Sequence, residues 1–110
     1  MGLQTFSWLL LAASVVAEVI GTIALRYADG FTRLVPSLVV GTCYAAAIWL
    51  MSIAVRQLEV GLAYAVWAGS GTALTAALGM LWFGESATLL RIGGMTAIVV
   101  GVVMLNLEAQ

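Results

Sequence analysis

The chain has 110 residues, of which 64% are hydrophobic and only 8% charged, where a soluble domain carries about 25% charged residues. Four basic against five acidic side chains leave a net charge of −1 with no basic patch, which argues against nucleic acid as a partner. The absence of histidine and the single cysteine, Cys43, argue against a transition-metal site and rule out an intrachain disulfide. The expectation is a single all-α integral membrane domain over residues 1–110, with no cofactor, no metal and no room for a catalytic or nucleotide-binding module, hence no enzyme.

Charge-free runs define the spans in chain order. Up to Arg26 the only ionisable side chain is Glu18, and Leu34–Val55, Val60–Gly84 and Ile92–Leu107 carry no charge. A membrane helix needs about 17–25 apolar residues to cross a core of ~30 Å. Four transmembrane helices are expected at about 4–26, 34–56, 60–83 and 87–107, the last lengthened past Arg91 by snorkelling. Helices this apolar all round have no polar face for a soluble bundle, and their short loops make sequential helices antiparallel neighbours. The N-terminus lacks the basic region of a signal peptide, and Phe6 stands where a myristoylation motif needs Ser or Thr. Arg26, Arg33 and Arg91 fall on one side of the membrane and Arg56 on the other, a bias weak enough for insertion in both orientations.

Of the nine charged side chains only Glu18 lies deep inside a span. A carboxylate there costs roughly 2.5–3.5 kcal/mol on insertion scales, so its default reading is functional. Leu11, Ser14, Val15, Gly21 and Thr22 share its helix face and are expected to line a cavity with it. No basic partner for Glu18 lies inside any span, the arginines falling at span ends. An unpaired carboxyl group in low dielectric carries its proton at rest, or ionises only beside a cation. A proton and a cation then compete for one group. On the second helix Tyr44, Ala47, Ile48 and Met51 form a face, and the Tyr44 hydroxyl needs a partner, for which Glu18 is the candidate. On the third, Tyr64, Trp67 and Gly71 share a face and offer an organic cation aromatic contacts of about 0.5–2 kcal/mol each. Gly69-Ser70-Gly71 weakens that helix locally and is a candidate hinge. On the fourth, Gly94, Ile98, Gly101 and Leu105 form a stripe that suits close helix association, within the bundle or between two chains. Trp8 and Trp82 read as interfacial belt residues and Trp49 as a lipid or packing contact.

At these residues the chain resembles the small multidrug resistance family. The likeness rests on Ala17-Glu18-Val19-Ile20-Gly21-Thr22, on Gly30-Phe31-Thr32-Arg33-Leu34 with Pro36-Ser37, and on Gly61-Leu62-Ala63-Tyr64-Ala65-Val66-Trp67 with Gly69 and Gly71. It implies a four-helix exporter of the inner membrane that works as an antiparallel, dual-topology dimer. The role of the membrane-embedded carboxylate, which binds protons and cationic substrate in turn, falls by this likeness on Glu18. Tyr44, Tyr64 and Trp67 become the binding aromatics, Gly69 and Gly71 the place where the helix bends, and Gly94 and Gly101 the dimerising glycines. Gly21 replaces the tryptophan usual in a guanidinium-exporting branch, leaves room for a bulky ligand and favours the multidrug branch. Glu59 stands for a usual proline and Ala47 for a frequent serine.

The expected function is proton-coupled antiport of hydrophobic or quaternary organic cations by a homodimer in the lipid bilayer. A paired homologous subunit is a possible second partner. The alternatives are a guanidinium exporter of the same family and a non-transporting membrane subunit in which Glu18 is merely polar glue.

Overall fold

Each helix starts and stops where local chemistry permits. The computed structural model describes residues 2–109 and contains four α-helices: α1 (Leu3–Ala28), α2 (Leu34–Ala54), α3 (Val60–Trp82) and α4 (Leu89–Ala109). At 21–26 residues and about 1.5 Å of rise per residue, each spans at least about 30 Å. Helix α1 runs two residues past the expected end at 26. It stops where Asp29, Gly30 and Phe31 all take positive φ and the Ala28 carbonyl accepts the Thr32 N–H at 3.0 Å. Helix α2 ends two residues before the expected 56, because Arg56 turns back to the Ile53 carbonyl at 3.1 Å while Leu58 tucks its side chain into the core. Helix α4 starts at Leu89 rather than at 87 because Thr88 caps it, its hydroxyl accepting the Arg91 N–H at 3.2 Å. Glu59 has φ −60°, the value a proline ring would impose, and α3 starts at Val60 as expected.

Helix α1 is the centre of the packing. It lies along α2 over the longest contact and also against α3, whereas α4 packs chiefly on α3. The core, Leu11, Ala54, Leu58, Ala63 and Val66 with Trp8, Met51 and Trp67 around it, sits at the end where α2 turns into α3. Small residues set the spacing. Ser14 is fully buried and donates to the Ala47 carbonyl on α2 at 2.6 Å, so its polar group is satisfied inside the bundle. A Cβ on Gly69 would come within 2.8 Å of Val102 on α4, which makes Gly69 the point where α3 and α4 touch.

The outer surface is apolar almost everywhere, including Leu9, Val16, Ile20, Leu38, Ile48, Trp49, Leu74 and Val103. Such a surface drives aggregation in water and is at home in hydrocarbon. Helices α1, α2 and α4 are each long and apolar enough to cross a membrane on their own. Helix α3 is equally long, free of charge and continuous, and it carries Gly69, Ser70, Gly71, Thr72 and Thr75 within an otherwise apolar run. The chain is an all-α membrane protein with four transmembrane helices.

Candidate functional site

The site is built on Glu18, whose position is fixed by the glycines around it. Its carboxyl group lies across α3 at Gly71, where an added Cβ would stand 3.1 Å from both oxygens. A side chain at this position would push the carboxyl aside by a few tenths of an ångström or more. On the other side, Gly21 lets the Tyr44 ring lie flat on α1, since a Cβ there would come within 3.0 Å of two ring carbons. Together Glu18, Tyr44, Ala47, Ile48 and Trp67 line a cleft of about 230 Å³ between α1, α2 and α3.

Hydrogen bonding around the cleft is uneven. Thr22 donates its one hydroxyl proton to the Glu18 carbonyl at 2.9 Å. The 2.7 Å contact between Thr22 and the Tyr44 hydroxyl is therefore donated by Tyr44. Tyr44 thus bonds to Thr22 and not, as expected, to the Glu18 carboxyl. The reason is Gly21, which lets the ring reach one turn past Glu18. In contrast, Glu18 Oε2 and Trp67 Nε1 are both buried without a hydrogen-bond partner. Leaving such groups unpaired costs about 1–3 kcal/mol each, more for a charged group. A carboxylate acceptor and an aromatic face, walled by apolar side chains, are the groups that a cation with an apolar body can use, and the indole N–H beside them is an unused donor.

The other expected residues divide between the cleft and its supports. Leu11, Ser14 and Val15 are buried in helix contacts and do not line the cleft, because this part of the Glu18 face is spent on packing. Gly21 is filled by the Tyr44 ring, so it provides no room for a bulky ligand, and Thr22 orients Tyr44 from behind. Gly71 forms the floor under the carboxyl group. Tyr64 is 58% exposed on the outer side of Trp67, with ring centroids 5.7 Å apart, and in one chain it buttresses Trp67 without reaching the cleft. Helix α3 runs unbroken through Gly69 and Gly71, and both glycines act as seats, for α4 and for Glu18. On α4 the stripe splits. Ile98 and Leu105 are half-buried toward α3 and the core, while a Cβ on Gly94 or Gly101 would meet nothing within 4 Å.

Sequence reasoning missed the cluster at the far end of α1 and α3. There Trp82 Nε1 donates to the Tyr27 hydroxyl at 2.7 Å, Tyr27 packs on Phe83 at 5.8 Å, and the Arg26 guanidinium lies 4.9 Å over the Phe83 ring. The signal was present as aromatic residues at both helix ends, but only the fold brings them together.

Comparison with known proteins gives a consistent result. Residues 6–107 match the family model described as Small Multidrug Resistance protein. The chain is 46% identical over 104 residues to the quaternary ammonium compound-resistance protein QacF of Klebsiella aerogenes, covering 94% of each. It is 42% identical to a guanidinium exporter of Yersinia pestis, covering 94% of this chain and 99% of that one. It is 39% identical to the multidrug transporter EmrE of Escherichia coli (strain K12), covering 94% of each.

Proposed function

The chain belongs to the small multidrug resistance family, a family of membrane transporters and not of enzymes, and on that premise we propose that it is a proton-coupled antiporter exporting hydrophobic and quaternary organic cations. The observation that carries this reading is half-buried Glu18, whose Oε2 is buried without a partner in an aromatic cleft. A site that holds a carboxylate and lacks a cation takes its positive charge from a proton or from the cargo. Trp67 and Tyr44 face the bound cation, and Tyr64 contributes from the outer rim or across a second copy.

The working unit is an antiparallel homodimer in the cell inner membrane. The open glycines of α4, Gly94 and Gly101, accept the matching helix of the second copy, and the two Glu18 clefts meet in one chamber. Protons entering from outside release the cargo, and cargo entering from inside displaces the protons. The two subunits exchange conformations, with Gly69-Ser70-Gly71 as the flexible part of α3.

A second reading has its own support. Relatives named for quaternary ammonium resistance and for guanidinium export match at similar identity, and the seat at Gly21 is taken by the Tyr44 ring. Guanidinium is therefore the rival cargo. The test is uptake into proteoliposomes containing this protein alone, driven by a proton gradient and run over a panel from guanidinium to bulky quaternary ammonium and phosphonium ions. The expected result is faster transport of the bulky ions. Faster guanidinium transport selects the rival, and no transport of either by the single protein contradicts the homodimer.

A further inference from the structure

Glu18 is not the only carboxyl group seated on a glycine of α3. The chain turns after Trp82 through Gly84, which has φ +67°, and the Glu85 N–H returns to the Gly79 carbonyl at 3.1 Å. This folds the Glu85 side chain over Gly79, where an added Cβ would lie only 3.0 Å from the carboxyl carbon. Gly71 and Gly79 are eight residues apart, about 12 Å along the helix and about 80° around it, with Thr75 midway between them. The two carboxyl groups thus occupy two seats on one helix, one in mid-membrane and one at the end of the helix.

The space between the seats is an open groove with hydroxyl groups along it. A cleft of about 300 Å³ between α1 and α3 is lined by Thr22, Arg26, Thr75, Gly79, Phe83 and Glu85, with the aliphatic Ile23 and Leu25 between them. Thr75 is one turn from each glycine seat, and Thr22 is one turn from Glu18 on the facing helix. That volume holds on the order of ten water molecules. Thr22 also accepts a hydrogen bond from Tyr44, so the groove reaches the back of the Tyr44 wall of the Glu18 cleft.

We propose that this groove is a water-filled proton path to Glu18, separate from the route of the cargo, and that Glu85 is its outer relay carboxylate. The inference rests on proton coupling at Glu18. Protonated Glu85 gives its proton to a water in the groove. Each water, and the Thr75 hydroxyl, then accepts one proton and passes on its own, and the last transfer makes the Glu18 carboxylate neutral. No bond other than O–H forms or breaks, and Glu85 is reset by a proton from bulk water.

The charged groups around Glu85 make the path selective. Arg26 faces it from α1, with its guanidinium held over Phe83 at 4.9 Å, and Arg91 faces it from α4 in the adjoining groove. Helix α2 contributes no charge there. Two arginines at the mouth repel an organic cation, which must move as a charged body. They do not stop a proton that passes between neutral oxygens. The Glu85 carboxylate keeps that mouth from being wholly cationic.

The test measures two quantities for each variant in proteoliposomes: the rate of proton-driven exchange, and substrate affinity at alkaline pH, where the path is not needed. Glu85→Gln and Thr75→Val are expected to slow exchange at least about tenfold, as loss of a positioned proton-transfer group does, with affinity unchanged. Thr75→Ser, which keeps the hydroxyl, should exchange near the wild-type rate. Unchanged exchange in Glu85→Gln and Thr75→Val overturns the path while leaving antiport intact. Parallel loss of affinity and rate marks both residues as structural and also overturns it. If wild-type exchange proves independent of the proton gradient, the antiport reading fails and takes the path with it.

Discussion

Replacing Glu18 with glutamine is expected to abolish proton-coupled transport and to weaken cation binding by about 30-fold or more. Glutamine has nearly the same shape and can keep the seat on Gly71, so the substitution removes the charge and the titration while leaving the packing. Taking away one member of a buried charge pair costs about 2–5 kcal/mol, and no other acidic residue lines the cleft to replace it. Direct binding to detergent-solubilised protein checks the affinity, and uptake into proteoliposomes checks the coupling. Transport at the wild-type rate by Glu18→Gln sinks the mechanism.

Gly71→Val is expected to lower cation affinity by about tenfold or more without touching any charged group. Its Cβ would lie 3.1 Å from both Glu18 oxygens, and the added methyl groups push the carboxyl off its seat. Forcing extra carbon into a tight contact typically costs about 1–3 kcal/mol. Gly41→Ala on α2 serves as the control, because a Cβ there meets nothing within 4 Å and affinity should stay as it was. Equal affinities for Gly71→Val and wild type indicate that the seat does not hold the carboxylate in its binding position.

The fold was largely legible because the bilayer imposes a simple rule. Charge must leave the spans, so Arg26, Arg33, Arg56, Glu59, Glu85 and Arg91 marked the loops, and Glu18 stood out by breaking the pattern. The helix ends were off by about two residues where local turns took over, as at Asp29–Phe31 and at the Thr88 cap. Within the site, side-chain type pointed to Glu18, Tyr44 and Trp67, and these three share one cleft. Periodicity could not tell which members of the Glu18 face meet the cavity. Ser14 and Thr22 look alike in sequence, yet one is spent on the Ala47 carbonyl and the other on Tyr44. Glycine was the least legible residue. Gly21, Gly69, Gly71 and Gly79 each accommodate a different neighbour, and those neighbours come from elsewhere in the chain. The paired seats for Glu18 and Glu85 depend on a turn after α3 that no periodicity reports.

A single carboxylate shared by protons and cargo makes one demand on equilibrium binding. Cation affinity of the purified wild-type protein, measured from about pH 5 to about pH 9, should be level at high pH. It should then fall at least about tenfold per pH unit once the pH drops below the Glu18 pKa, the slope counting how many of the two Glu18 protons each cation displaces. Each cation bound in that lower range should release a proton into an unbuffered solution. An affinity that stays flat across the whole range, with no proton released, contradicts competition at Glu18.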